Sequence, residues 1–445
     1  MRVSVIVSMP AEQNLRSLSL AAFTPGRIAA PTLTAMRSSD LYIDPKFPPL
    51  PLSAKRADGI NLAMATADVA PTFVTRGTID TGSIERLVQE NRGIEIFADP
   101  EIGLFETPHC GSTAIGTKSD VESKLDVAGL LAKGLDGRRV AVAVMDTGIN
   151  LAHLRGRGLR PKLDRQIFWA PPGVAQTPGQ FAVDHGTMCA FDALIAAPAC
   201  TLLDFPILKS TTPGGSAMAG FLSDALLAFS YLNTQRSTAS FLRKYKALVV
   251  SNSWGMYHPS WDFPVGHPGR YADNPNHPFN IMVGTLARSG ADVLFAAGNC
   301  GADCPDGRCQ GVTAGTVSGA NAHPDVLTIA GCDVSDTRVG YSSQGPGIAG
   351  MASQKPDLTA YTHFVGSETF GTGTPDSGTS AACPVAAGCI AAIRTKLPTG
   401  NTTSKDLFSQ LLANALPKPG PGSGWNKDYG AGIIRPMVVA SQLGL

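Results

Sequence analysis

From about residue 122 onward, short apolar runs alternate with amphipathic stretches, the mark of strand and helix in regular succession. VESKLDVAGLLAKG reads as an amphipathic helix stopped at a glycine, and RRVAVAVMD as a strand. That strand is a continuous apolar run rather than an alternating one, as expected where a parallel sheet is covered on both faces. ACTLLDFPIL, ALVVSNSWG, ADVLFAAGN and DVLTIAGCD predict further strands. SDALLAFSYLNTQ, PFNIMVGTLARSG and the small-residue segment SGTSAACPVAAGCIAAIRTKL predict helices between and after them. The succession predicts an α/β fold with a doubly wound, mainly parallel sheet flanked by helices.

The front of the chain reads differently. Val3 to Val7 is an apolar run that predicts a strand, and residues 24–71 carry scattered prolines, as in DPKFPPLPL, with little periodicity. Residues 1–71 are therefore expected to be a loop-rich amino-terminal extension. Next come a strand (PTFVTRGTID), a capped helix (TGSIERLVQENRG) and a second strand (IEIFADPEIG), which set residues 72–106 apart as a small α/β domain. The polar stretch TPHCGSTAIGTKSD suggests a linker over 107–121, leaving 122–445 as the main domain.

In an open parallel sheet, reactive groups gather at the carboxyl ends of the strands. Asp146 ends the run VAVAVM, and Thr147 and Gly148 turn the chain after it. His185 lies in DHGTMCA at an expected helix start. Ser380 follows Gly378 and Thr379 and opens another helix, with Pro384 tolerated in its first turn. A serine there stands beside free backbone N–H groups at the positive end of the helix dipole, an arrangement that stabilises a developing oxyanion. Taken singly, each is an ordinary turn aspartate, capping histidine or N-cap serine. The order Asp, His, Ser excludes an esterase built on a Gly-x-Ser-x-Gly elbow, in which the serine comes first.

DTGI, HGTMCA and GTSAACPVAAG, in that order, resemble the three signature blocks of the subtilisin-like serine peptidases, the subtilase family of peptidase S8. VVSNSWG resembles the family strand that pairs with the substrate backbone, and LFAAGN the segment carrying the oxyanion-hole asparagine. HPDVLTIAG, GYSSQGPG, KPDL and DYGAGIIRP follow in family order, so the likeness spans about 125–445. The resemblance implies a serine endopeptidase with Asp146, His185 and Ser380 as triad and Asn299 in the oxyanion hole. Ser253, Trp254, Gly255, Ala297 and Gly298 would line the substrate, with protein or peptide as substrate. No cofactor is required, and structural calcium is implied without assignable ligands. It also implies that residues 72–106 act as a propeptide inhibiting the enzyme from within, with processing near LFETPHCGS. The rival reading, a catalytically silent binding protein on a protease fold, predicts a substituted triad, whereas all four positions are filled. After Pro384 the family's usual His-Val-Ala-Gly is Val385, Ala386, Ala387 and Gly388 here.

Composition narrows the picture slightly. A net charge of +1 calls for no nucleic acid or anionic membrane, and no apolar window is long enough to span a bilayer. The short apolar start followed by polar residues resembles no signal peptide, so a cytoplasmic location is expected. Of nine cysteines, Cys110, Cys189, Cys200, Cys332, Cys383 and Cys389 sit in apolar or small-residue surroundings expected of buried thiols. Cys300, Cys304 and Cys309 cluster in NCGADCPDGRC, as a local disulfide plus a thiol or as three ligands of a metal. GMYHPSWDFPVGHPGRYADNPNHPFN reads as an ordered surface loop, the spacing of His258, His267 and His277 matching no ligand pattern. No dense acidic cluster surrounds the expected specificity segments, although Asp303 and Asp306 stand in sequence beside them.

Overall fold

Strands β1 (Arg2–Pro10), β2 (Leu41–Ile43), β3 (Leu50–Leu52), β4 (Thr72–Asp80) and β5 (Glu95–Ala98) form one antiparallel sheet in which β1 runs between β4 and β5. The computed structural model describes residues 1–10, 40–52, 72–91, 93–104, 113–209, 219–418 and 424–445. The helix Ile84–Glu90 covers the sheet, and Val5, Val7, Ile79, Ile84, Leu87 and Ile96 share its core. The division expected at 71 to 72 falls inside this sheet: β1 pairs with β4 over its whole length, from Arg2 opposite Asp80 to Pro10 opposite Thr72. Only the apolar run at Val3–Val7 carried a sign of this, because pairing partners 70 residues apart leave no local pattern. Residues 11–39 and 53–71 lie outside the described residues.

The main sheet has seven parallel strands in the order β15-β14-β13-β11-β7-β9-β8: β7 (Val140–Met145), β8 (Lys162–Leu163), β9 (Thr201–Phe205), β11 (Ala247–Asn252), β13 (Ala291–Ala296), β14 (Leu327–Cys332) and β15 (Leu358–Tyr361). The continuous apolar run of β7 has the expected cause. Val140, Val142 and Val144 enter one core, and Ala141, Ala143 and Met145 enter the core on the opposite face. The first core packs against the helices His185–Ala196 and Thr379–Arg394, the second against Leu222–Arg236 and Pro278–Arg288. From β7 the chain goes to the edge strand β8, comes back to β9 beside β7, then crosses to β11 on the other side and proceeds that way. Strands β7 and β11 thus flank the switch point, where α/β sheets place their ligands. The helix expected over VESKLDVAGLLAKG is two helices, Lys118–Leu125 and Val127–Ala132, broken where Asp126 adopts a left-handed conformation.

IEIFADPEIG is likewise two strands rather than one. Asp99 and Pro100 end β5, and Pro100 has no N–H to continue a ladder. The chain then leaves the amino-terminal sheet as β6 (Glu101–Leu104). It lies between β10 (Ala219–Phe221) and β12 (Trp254–Gly255), antiparallel to both.

The long segment after β12, expected as a surface loop, is where the amino-terminal sheet docks. His277 is fully buried; its Nε2 donates to Ala98 O at 2.9 Å, and its ring packs edge-on to Phe97. Ala98 N donates to Gly269 O, and Phe263 joins the core beneath β1 and β5. Burial lowers the His277 imidazole to about 4, so it stays neutral in this role. Across the same junction Asp99 accepts from Ser223 N and Oγ, both at 2.8 Å, and Arg76 donates to Asp224 at 2.9 Å.

One buried ion pair fastens the helix Thr379–Arg394 to the sheet. Arg394 Nε and Nη2 each donate to Asp292 at 2.7 Å, both side chains being 0% exposed. The Arg394 guanidinium also donates to Leu397 O and Thr402 O. Replacing Asp292 by Ala leaves a buried, uncompensated cation. It is expected to cost about 3–5 kcal/mol, measured by urea unfolding in a Ser380→Ala background. Replacing both residues with apolar ones of similar volume should cost much less, because no charge is then stranded.

Candidate active site

Asp146 follows the last residue of β7 and is 1% exposed. Its carboxylate holds the next turn by accepting from Thr147 N at 2.7 Å. Thr147 Oγ1 accepts from Gly186 N at 2.9 Å, which draws in the amino end of the next helix. Glycine is required at 186, since a Cβ there would lie 2.7 Å from Gly148 O and 2.9 Å from Gly148 N. His185 is the first residue of that helix, and Asp184 caps it by accepting from His185 N at 2.8 Å. The result is a direct contact: His185 Nδ1 lies 2.8 Å from Asp146 Oδ1 and 3.0 Å from Oδ2. A nitrogen placed on a carboxylate donates, which leaves Nε2 as the basic nitrogen of a neutral imidazole.

Ser380 is the second residue of the helix Thr379–Arg394, where backbone N–H groups lack intrahelical acceptors. It is tied to the end of β11 by a reciprocal pair: Ser380 Oγ donates to Ser253 O at 3.2 Å, and Ser253 Oγ donates to Ser380 O at 3.0 Å. Asn299, at the turn after β13, accepts through Oδ1 from Thr379 N at 2.9 Å and Thr379 Oγ1 at 3.0 Å. With its oxygen committed to Thr379, the amide NH2 on the other branch is its donor. Gly298 N donates to Thr379 Oγ1 at 3.0 Å, and Ala297 is buried beside it.

Cys189 joins these groups, and its one sequence signal is its spacing four residues after His185, one helical turn on. Its Sγ lies 3.6 Å from Asp146 Oδ2, 3.7 Å from His185 Nδ1 and 3.6 Å from Ser380 O. Burial first, then the Asp146 charge, pushes the thiol well above its ordinary range, so it is a protonated donor here. Among the described residues, Asp146, His185 and Cys189 are the one trio of metal-ligand types drawn together. One carboxylate, one imidazole and one thiol do not make the oxygen cage that calcium takes.

Ser253 leads into β12, whose first residue is Trp254. Its indole is 0% exposed and packs on Phe279 and Phe295, while its main chain faces Leu104 across the β6–β12 ladder. In the cysteine cluster Cys300 and Cys309 form a disulfide and Cys304 is also disulfide-bonded, so neither the metal site nor a free Cys304 thiol applies. Cys110 and residues 105–112, with the processing point expected there, lie outside the described residues. Cys189, Cys200, Cys332, Cys383 and Cys389 are buried free thiols, as their surroundings suggested. Asp303 and Asp306 are each engaged by an arginine of this chain, Arg338 and Arg308.

A parallel sheet with an Asp–His pair at one strand end and a helix-borne serine beside it defines an α/β serine hydrolase. The chain belongs to the subtilase family of serine peptidases, whose family model matches residues 137–432. It is 25% identical over 302 residues to the subtilisin-like protease SBT6.1 of Arabidopsis thaliana, covering 66% of this chain and 25% of that protein. It is 26% identical over 373 residues to a calcium-dependent protease of Trichormus variabilis, covering 76% of this chain and 49% of that protein. With subtilisin E of Bacillus subtilis it shares 24% identity over 314 residues, 68% of each chain. The chain thus spans a quarter of the first and about half of the second of these relatives. No helix among the described residues is long and apolar enough to cross a membrane.

Behind the site lies a second pair of acidic groups. Asp192 sits two turns beyond His185 on the same helix and is 0% exposed. Asp376 belongs to a small ladder between β16 (Phe364–Val365) and β17 (Pro375–Asp376), and accepts from Ser367 N at 2.6 Å and from Ser367 Oγ. Burial, then the Asp376 charge, raises Asp192 well above the carboxylate range; burial also raises Asp376, opposed by Ser367 and Arg157. The two carboxyls are most stable sharing a proton. Groups whose folded pKa is raised contribute fully below the ordinary carboxylate pKa, and that contribution is lost as pH rises through the raised value. Asp192→Asn, which donates to Asp376 at every pH, should therefore gain stability on its parent as pH rises from about 4 to about 8. Melting temperatures of both in the Ser380→Ala background measure this, and a gap independent of pH would refute it.

Proposed function

We propose that this chain is a serine endopeptidase acting through Asp146, His185 and Ser380, made as a precursor that its own amino-terminal sheet inhibits. The observation that carries the catalytic part is the His185 Nδ1–Asp146 contact at 2.8 Å, next to a helix start that presents Ser380. Asp146 fixes the tautomer of His185 and stabilises its cationic form. His185 Nε2 takes the Ser380 proton as Oγ attacks the scissile carbonyl, then returns it to the leaving amine; water repeats the sequence on the acyl-enzyme. The Asn299 amide and the N–H of Ser380 receive the oxyanion. Thr379, which binds Asn299 Oδ1 twice, sets the direction of that amide.

The inhibitory role rests on β6. It lies antiparallel between β10 and β12, the way an extended peptide adds a strand to exposed edges. Leu104 faces Trp254, so one further step along the ladder reaches Ser253, whose carbonyl accepts from Ser380 Oγ. Ser380 is 0% exposed in the intact chain, which supports a cleft that substrate cannot enter until β6 leaves. Calcium dependence, the property in the name of the Trichormus relative, has no carboxylate cluster to support it among the described residues. The Cys300–Cys309 disulfide favours an oxidising compartment over the cytoplasmic one expected from the amino terminus.

Intact-mass analysis after treatment with a fluorophosphonate probe tests the proposal. The wild type is expected to lose its amino-terminal segment and gain one label, while Ser380→Ala keeps its full length and takes none. Silence of the wild type even after limited proteolysis would overturn the enzyme reading in favour of a protein that binds but does not cleave. In the processed enzyme, Asp146→Asn should lower kcat about 10⁴-fold by allowing the wrong tautomer. Asn299→Ala should cost about 10²- to 10³-fold, with KM little changed.

A further inference from the structure

The loop after Asn299 is an elaboration whose side chains reach β6. Asp306 N donates to Asn299 O at 2.9 Å, and the Cys300–Cys309 disulfide closes the loop, so its base is anchored at the site. Asp306 caps the turn Gly307–Cys309 by accepting from Arg308 N at 2.8 Å. The same carboxylate accepts from Arg308 Nε at 3.1 Å and Nη2 at 2.9 Å. The guanidinium stacks on Tyr257, with Cζ 3.9 Å from the ring centre, and Nη2 donates to Tyr257 OH at 2.6 Å. Tyr257 OH in turn donates to Leu104 O at 2.8 Å. Arg308 is thus held by a carboxylate, an aromatic face and a hydroxyl before it meets anything in the cleft.

What it meets is one face of β6. Side chains at 101 and 103 share a face of the strand, while Ile102 and Leu104 point the other way into the core. A Cβ on Gly103 would lie 3.4 Å from Arg308 Nη1 and 3.8 Å from Tyr257 Cε2, so a methyl group fits and a longer side chain displaces the guanidinium. Glu101, two residues earlier, feels the Arg308 charge, which opposes the rise that burial gives its carboxyl.

On the reading of this cleft as a peptidase site, we propose that Arg308 determines specificity: it selects glycine or alanine at the substrate position facing Gly255 and an acidic residue two positions before it. The strand that occupies the cleft carries that pattern itself, Glu101-Ile102-Gly103-Leu104. The disulfide and Asp306 serve to hold the cation where a flexible arginine would swing aside.

Internally quenched peptides built on EIGLFE, EILLFE and KIGLFE test this with the enzyme obtained by self-processing of the full chain. Wild type is expected to lose at least ~10-fold in kcat/KM from EIGLFE to EILLFE. From EIGLFE to KIGLFE it should lose about five-fold, the scale of one partly solvated ion pair. Arg308→Ala should shrink both ratios towards one, and Arg308→Glu should reverse the second; fluorophosphonate labelling confirms that each variant keeps its site. Equal cleavage of the three peptides by wild type, or unchanged ratios in a variant that still labels, overturns the inference and leaves the peptidase reading standing. Absence of both labelling and cleavage in wild type overturns the reading itself, and the inference with it.

Discussion

The constraint on which the site depends is the close approach of two helices. The Ser380 helix and the His185 helix cross where Gly388 faces Ala193, and a Cβ at 388 would lie 2.3 Å from Ala193 O. Small residues along TSAACPVAAGCIAA allow that contact, and the interdigitating volume is filled by Met188, Phe191 and Ile390 from the first core. Were the helices an ångström further apart, Cys189 would no longer touch Asp146, His185 and Ser380 together. The helix-rich side of the sheet is therefore the ruler that sets the site, and the Arg394–Asp292 pair fixes its far end.

The same logic explains the segment after β12. It is long because it performs two tasks, capping the helix Pro278–Arg288 through His277 and offering the amino-terminal sheet a partner at Ala98 and Gly269. Asp262 organises it from inside by accepting from Phe263, Tyr271 and Ala272 N–H groups. A loop that buries such a carboxylate and a neutral imidazole is built as an interface, since a solvated loop has no need of either.

The α/β alternation and the sheet's two-sided burial were legible in the sequence because each rests on local pattern: a run, a turn, a helix start. The positions of Asp146 at a strand end and Ser380 at a helix start follow directly from those patterns. The amino-terminal sheet was not legible, because β1 and β4 find each other across 70 residues and the prolines between them dominate the local signal. The burial of the Trp254 indole against Phe279 and Phe295 was not legible, because so short a strand carries no local mark of which side meets the core. Cys189 and Arg308 escaped because their roles depend on neighbours from other elements: Ser380 for the first, Tyr257 and β6 for the second.

In the cleft, affinity and selectivity come from different parts of the chain. β10 and β12 bond to the backbone of whatever lies between them and so hold any extended peptide in register. Such bonds carry no side-chain information, so discrimination must come from groups standing over the strand. One face of β6 is buried in the core through Ile102 and Leu104, where apolar fit separates related side chains by only modest factors. The other face, at Glu101 and Gly103, meets the Arg308 guanidinium, which Asp306 and Tyr257 hold. The loop after Asn299 can change that second face without disturbing Thr379 or the Asn299 side chain, because its anchor is Asn299's main chain and its reach is a side chain. That separation leaves the hydrogen bonds between Asn299 and Thr379 independent of what Arg308 meets on β6.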